Sequence, residues 1–271
     1  MDFSVVFFCQ YGGVPTRSVN PATTPPAVHG FRARVRAETL PTSFIWHRRD
    51  SVALLAVPAL FAAGWLGSLL TQDPAVGTTV DTSVRIALFV VLAVANRELL
   101  ARHWRAFWAA PWRSIGVVLA GLVVIQIVIS ALGNALRPFV DTLPVEQAQA
   151  TSLTFAVMLF ASFNPVVTAL IEDFTYRHTL LLKFPVWNRF TIAAALTIGN
   201  ALVFGATHIN NFGGQWLLTL SYAGAGLVMN LTYLWTRNIW HVLLMHGLNN
   251  FILGGPIAFL LVYALGADMN A

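Results

Sequence analysis

The feature that most constrains this chain is a series of long apolar runs. Five of these runs reach or approach the ~20 residues that an α-helix needs to cross a bilayer, and the second and the last two are shorter. The eight runs cover residues 52–70, 84–95, 115–136, 153–171, 190–206, 216–235, 239–253 and 256–265. Only 10% of all residues are charged, against about 25% in a soluble domain, and the period-2 alternation typical of a membrane β-barrel is lacking. The sequence predicts an all-α, polytopic membrane bundle of about eight transmembrane helices.

The positions of the basic residues predict the orientation of this bundle. With a cytoplasmic N-terminus and eight spans, only Arg85 and Arg137 among the fifteen arginines and one lysine fall on the outer side. This asymmetry is the positive-inside signature. The net charge of +5 therefore indicates topology and contact with membrane lipid rather than nucleic-acid binding. Arginine in place of lysine is typical of a GC-rich bacterium, which predicts a multi-pass protein of the bacterial plasma membrane.

Composition divides the chain into three parts. Residues 1–49 are rich in Pro, Thr and Arg and are predicted to form a flexible basic cytoplasmic tail. Residues 50–149 are predicted to form N-terminal transmembrane helices, and residues 150–266 a C-terminal helical core. Residues 71–83 are predicted to form the first outer loop. The spacing of Trp104, Trp108 and Trp112 favours a helix in the headgroup layer, and His103 beside them is expected to be solvated.

The fourth apolar segment carries a cluster of charges. Glu172, Asp173 and Arg177 lie within it, and each ionised group at membrane depth costs at least a few kcal/mol unless it is paired or hydrated. Pro165 is expected to break or kink the segment before the cluster. Broken helices at membrane depth line protein or water-filled cavities. The cluster is therefore a candidate functional site facing an internal cavity.

Two further polar groups show four-residue spacing. Phe204 precedes His208, and His246 precedes Asn250, so the members of each pair stack on one helical face, while Asn249 should point elsewhere. On straight helices Glu172, His246 and Asn250 lie ~14–20 Å from the inner boundary, whereas His208 lies ~28 Å along and must return by tilt or a loop. Gln126, in a polar stripe of the third run, is expected to bond a neighbouring helix rather than line a cavity.

These residues carry a family resemblance. Glu172-Asp173-x-x-x-Arg177, Phe204-x-x-x-His208 and His246-x-x-x-Asn250 resemble, in order, the EExxxR, FxxxH and HxxxN/D motifs of the CPBP family of CAAX proteases and bacteriocin-processing enzymes, also called the Abi family. The resemblance covers roughly residues 150–265. One position departs from it, because Asp173 stands where the family has a second glutamate.

The resemblance implies an intramembrane endopeptidase acting on a membrane-associated or prenylated-type protein or a leader peptide. Glu172 and His208 would activate water, and His246 and Asn250 would stabilise the oxyanion. Arg177 is expected to hold a carboxylate or a neighbouring helix, with Asp173 in support. Physical chemistry fits these roles, since a carboxylate can serve as general base and an imidazole with an amide can bind an oxyanion.

Three alternatives remain open. Glu172, His208 and His246 form a two-histidine, one-carboxylate set that suits zinc, although the absence of an HExxH pair favours a cofactor-free mechanism. A non-catalytic binding or immunity-type scaffold of the same family is the second alternative. A transporter also uses intramembrane charges and broken helices, but no internal repeat supports it.

Overall fold

The computed structural model describes residues 30–140 and 153–265, and this part of the chain is helical, with no strand in it. Its α-helices are α1 Phe31–Val35, α2 Arg48–Leu70, α3 Pro74–Ala95, α4 Arg97–Phe107, α5 Pro111–Leu136, α6 Phe155–Ala161, α7 Asn164–Asp173, α8 Phe190–Ala206, α9 Thr219–Thr236, α10 Ile239–Leu253 and α11 Pro256–Ala264. A π-helix, Phe174–Leu181, continues α7. The all-α prediction is confirmed for these residues.

Five segments of the described chain are long and apolar enough to cross a membrane. They are Pro74–Ala95, Pro111–Phe139, Phe155–Leu181, Trp216–Thr236 and Ile239–Ala264, and α8 is a shorter apolar helix. The chain is an integral membrane protein, but the predicted count of about eight spans is not confirmed. One reason is that the predicted spans 239–253 and 256–265 join into a single apolar stretch across Gly254 and Gly255.

The predicted outer loop at residues 71–83 is wrong for most of its length, because α3 begins at Pro74. Asp73 caps this helix, its Oδ1 accepting a hydrogen bond from the Ala75 amide at 2.9 Å, and proline is favoured at the first helical position. Asp81 consequently lies on α3, one turn before Arg85. Both residues are thereby placed on the face that packs toward α7.

The predicted break before the charge cluster is confirmed. α6 ends at Ala161 and α7 begins at Asn164, with Pro165 in its first turn. Proline is tolerated there because the first amides of a helix have no intrahelical partner. The half-helix α7 thus carries Glu172 and Asp173 at its C-terminal end, packed between α3 and α10.

Part of the predicted tail is held against the bundle. Residues 1–29 lie outside the described residues, but the Ala37 amide donates to the Arg237 carbonyl at 3.3 Å and Asn238 Nδ2 donates to the Val35 carbonyl at 3.1 Å. Glu38 pairs with Arg102 and contacts His103 Nε2 at 3.1 Å. Residues 35–38 are therefore held against the bundle, whereas the prediction was a flexible tail through residue 49.

The expectation that His103 is solvated is wrong. Its side chain is fully buried, and its Nδ1 accepts a hydrogen bond from the Ile239 amide at 3.0 Å. Local polarity misled the prediction: α4 is amphipathic, and His103 lies on the face that packs against the start of α10. The three tryptophans of this region, by contrast, are partly or largely exposed.

Candidate active site

A cavity of about 820 Å³ lies within the helical bundle, between α2, α3, α5, α7, α9 and α10. All four residues predicted to be catalytic line it: Glu172, His208, His246 and Asn250. The structure therefore brings together residues from three separate segments of the chain. Their chemical roles stay predictions, since geometry alone does not assign them.

Glu172 and His208 face one another across this cavity. Glu172 lies at the end of α7 and is buried, and its Oε1 is 3.7 Å from His208 Nε2. His208 does not lie on a straight continuation of α8. That helix ends at Ala206, and the chain turns through His208 into the short 3-10 segment Ile209–Phe212. This turn removes the depth mismatch that a straight helix would create.

The tautomer of His208 follows from its second contact. Its Nδ1 lies 2.9 Å from the Phe204 carbonyl oxygen, and because a carbonyl can only accept, Nδ1 carries a proton. The other ring nitrogen, Nε2, is directed at Glu172. The 3.7 Å separation exceeds a direct hydrogen bond, and it matches a pair of groups that share one water molecule.

Asp173 faces away from the cavity toward Arg177 and His246. Its Oδ1 lies 3.3 Å from Arg177 Nη1 and 3.5 Å from His246 Nδ1. The side chains of Asp173 and Arg177 are fully buried. Successive helical residues point about 100° apart, which explains why two adjacent carboxylates have separate partners. Asp173 thus orients His246, leaving His246 Nε2 for the cavity.

Phe204, the first residue of its motif, separates the buried guanidinium from the histidines. The Arg177 Cζ lies 4.1 Å from the Phe204 ring centroid, a cation–π contact. The same ring centroid lies 4.8 Å from that of His208 and 5.8 Å from that of His246. A Cβ on Gly226 of α9 would come within 2.7 Å of Phe204 Cδ1. The glycine therefore permits the close α8–α9 approach that fixes this ring.

Arg177 itself lies in the π-helix. Side-chain hydrogen bonds join this π-helix to its neighbours. Asn200 Nδ2 of α8 donates to the Tyr176 carbonyl at 3.0 Å, and Thr175 Oγ1 of the π-helix donates to the Ala53 carbonyl of α2 at 2.6 Å. π-helical turns occur frequently at functional sites. Here the turn directs Arg177 back toward Asp173 in the interior.

Three amide side chains form a directional hydrogen-bond chain beside the cavity. Gln126 Nε2 donates to Asn249 Oδ1 at 2.6 Å, Asn249 Nδ2 donates to Asn250 Oδ1 at 3.1 Å, and Asn250 Nδ2 donates to the Pro165 carbonyl at 2.9 Å. The Pro165 carbonyl only accepts, so it fixes the orientation of every amide in the chain. The prediction that Asn249 points elsewhere is wrong, and Gln126 both bonds a neighbouring helix and lines the cavity.

Sequence reasoning missed several polar side chains of the cavity wall, among them Asn249, Gln126 and Arg85. Asn249 was available as the neighbour of a motif asparagine, and Gln126 as part of a polar stripe. Arg85 also lines the cavity, although the sequence assigned it only to the outer side. The sequence feature that could have indicated this position is the spacing of Asp81 and Arg85, which are four residues apart where an apolar run begins.

The residues proposed for zinc do not form a three-ligand set in this arrangement. Within residues 30–140 and 153–265, no three His, Cys, Asp or Glu side chains are grouped so that they could hold a metal ion. Glu172, His208 and His246 share the cavity without meeting this condition.

The fold and this site together define an integral membrane protein in which a carboxylate, two imidazoles and an amide line one cavity inside a helical bundle. Residues 152–252 match the family described as type II CAAX prenyl endopeptidase, Rce1-like. This match covers less than half of the 271 residues, and it confirms the resemblance to the CAAX protease (CPBP) family of peptidases that the three motifs carry. No match was found among curated proteins or solved structures.

Proposed function

We propose that the protein is an intramembrane endopeptidase that hydrolyses a peptide bond in a membrane-associated protein, a prenylated-type tail or a leader peptide. The observation that carries the proposal is the approach of His208 Nε2 to within 3.7 Å of Glu172 Oε1, at a cavity that His246 and Asn250 also line. The match to a peptidase family supports the same conclusion.

The proposed reaction begins with a water molecule held between Glu172 and His208. Glu172 takes one proton from the water as its oxygen attacks the carbonyl carbon of the substrate, forming a tetrahedral oxyanion. The carbon–nitrogen bond then breaks as Glu172 returns the proton to the leaving amine. His208, held by the Phe204 carbonyl, keeps the water aligned with the carboxylate.

His246 and Asn250 would stabilise the oxyanion. With Nδ1 on the side of Asp173, His246 would present Nε2 to the cavity, where an Nε2–H donates to the oxyanion. Asn250 uses one Nδ2 hydrogen on the Pro165 carbonyl and keeps the second for the substrate. Prearranged donors of this kind lower the energy of the transition state more than that of the substrate.

The finer topology is also part of the proposal. We place the N-terminus in the cytoplasm of a bacterium, the bundle of about eight helices in its plasma membrane, and substrate entry on the cytoplasmic side. Reporter fusions to each connection test this arrangement. A reporter at residues 141–152 that is active in the cytoplasm would contradict it.

The enzymatic proposal is tested by comparing the peptides of cells carrying wild-type protein, Glu172→Ala, His208→Ala or His246→Ala. We expect cleavage products to be lost in all three variants, while each protein still inserts at wild-type level. Glu98→Ala, at an exposed glutamate of α4, is the matched control and should keep full cleavage. Full biological activity of Glu172→Gln would instead favour the non-catalytic scaffold.

Zinc dependence needs a separate measurement. The purified protein should retain full activity after exhaustive chelation if the mechanism is cofactor-free. Loss of activity that zinc restores would replace this mechanism with the zinc-dependent alternative, with Glu172, His208 and His246 as the ligands.

A further inference from the structure

Arg85 provides the fixed positive charge of the cavity wall. It lies on α3, outside the segment that matches the peptidase family. Among the described residues that line the cavity, it is the only lysine or arginine. The proposed hydrolysis gives it no role, and a guanidinium at membrane depth is costly unless it is paired or used.

The guanidinium is held in place by three neighbouring side chains. Arg85 Nε donates to Asp81 Oδ2 at 2.8 Å, and Nη1 donates to Thr168 Oγ1 at 2.8 Å. Asn164 Nδ2 donates to the same Asp81 oxygen at 3.1 Å, which fixes the carboxylate. These contacts use two of the five N–H groups of a guanidinium, so the group is oriented and retains donors for a ligand.

Arg85 binds a residue that lies one helical turn before the proposed catalytic carboxylate. Thr168, its partner, precedes Glu172 by four residues on α7, which is a rise of ~6 Å. Both residues line the same cavity. An extended peptide advances ~3.3–3.6 Å per residue, so a chain held at Glu172 reaches Arg85 within a few residues.

We propose that Arg85, oriented by Asp81 and Thr168, forms an anion subsite of this cavity, taking a carboxylate of the peptide substrate or the phosphate of a lipid headgroup. Guanidinium groups bind both anions through paired hydrogen bonds. The subsite rests on the proposed function, because it deepens the specificity of the same cavity. It makes the N-terminal helices a determinant of substrate choice.

Full-length protein in nanodiscs tests the subsite with two matched pools of random synthetic peptides, one ending in a free carboxylate and one in an amide. If the peptide supplies the anion, wild type should cleave the free-acid pool about 10- to 100-fold better, as expected for a charge-assisted hydrogen bond. Arg85→Gln should lose this preference, and Arg85→Lys should keep most of it.

Two control variants separate binding from structure. Asp81→Asn combined with Arg85→Gln leaves the net charge of the cavity unchanged and should still abolish the preference. Arg137→Gln, at an exposed arginine outside the cavity, should behave as wild type. A purely structural Arg85 would lower the unfolding temperature and the cleavage of both pools equally, which would overturn the proposal.

A second arm of the experiment tests a lipid headgroup as the source of the bound anion. If a headgroup phosphate occupies the subsite, phosphatidylglycerol in place of phosphatidylcholine should raise the unfolding temperature of wild type but not of Arg85→Gln, and the two pools should be cleaved equally. An Arg85→Gln protein that matches wild type in both arms refutes the subsite. Absence of any Glu172-dependent cleavage refutes the proposed function instead, and the lipid arm still reports on Arg85.

Discussion

The amide chain that ends on the Pro165 carbonyl makes a sharp prediction for Gln126→Glu. An ionised carboxylate at this position only accepts, so it would face Asn249 Oδ1 where Gln126 Nε2 donates at 2.6 Å. Rotating Asn249 moves the mismatch to Asn250, and rotating Asn250 moves it to the Pro165 carbonyl. Because both ends of the amide chain, the new carboxylate and the Pro165 carbonyl, are then acceptors, one acceptor–acceptor contact remains in every arrangement.

The magnitude follows from that single mismatch. A polar group left without a partner costs about 1–3 kcal/mol. If this cost raises the free energy of the transition state, the rate should fall about 5- to 150-fold. The loss should appear in kcat more than in KM, since Asn250 is proposed to act on the oxyanion that forms only during reaction. Lowering the pH should recover part of kcat, because a protonated carboxyl can donate again.

The assay uses the purified enzyme and a peptide identified from Glu172-dependent cleavage. Gln126→Met removes the donor without adding an acceptor, so it should lose less than Gln126→Glu. Asn134→Asp, an amide-to-carboxylate change at an exposed position of the same helix, should leave kcat unchanged. A wild-type kcat for Gln126→Glu, or an equal loss for Asn134→Asp, would show that the amide chain does not position Asn250.

Two further predictions concern stability. Asp173→Asn leaves the buried Arg177 without its anionic partner, so the free energy of unfolding in detergent should fall by about 3–5 kcal/mol. Glu172→Gln, at the cavity, should change this free energy much less. Equal effects would contradict the separate orientation of the two carboxylates. Burial alone would raise the pKa of Glu38, but hydrogen bonding with His103 and the charge of Arg102 lower it to about 2. Its ionised form therefore stabilises the fold above the ordinary pKa of 4.5, and this contribution should disappear as the pH falls toward 2. The unfolding temperatures of wild type and Glu38→Gln should converge over that range, and parallel curves would argue against the pairing.

The sequence predicted that His246 and Asn250 share a helical face, because residues four apart stack on one side of a helix, whereas their convergence with Glu172 and His208 was implied by the family resemblance. It also predicted the break before α7 from Pro165. Both inferences use local geometry, which an apolar surrounding does not alter. The expectation that His208 returns by tilt or a loop is met by the turn after Ala206, but the sequence did not say which of the two would occur.

The same distinction explains the errors outside the cavity. His103 and the residues before α2 are polar in sequence, and polarity alone predicted exposure. Their burial comes from contacts with Asn238 and Ile239, more than 130 residues further along the chain. Arg85 was likewise assigned to a side of the membrane by charge counting, which carries no information about the cavity that α3 and α7 enclose.

Asp173 is the position at which the motif departs from the family pattern. Seen in sequence, an aspartate beside Glu172 keeps the charge of the family's second glutamate and shortens its reach by one methylene. In the structure the two carboxylates diverge, and the Asp173 oxygen lies against Arg177 and His246. Its contact with His246 Nδ1 is 3.5 Å, and the added methylene of a glutamate would change that separation. The departure at this position therefore acts on how firmly His246 is oriented, and leaves the proposed activation of water by Glu172 and His208 unchanged.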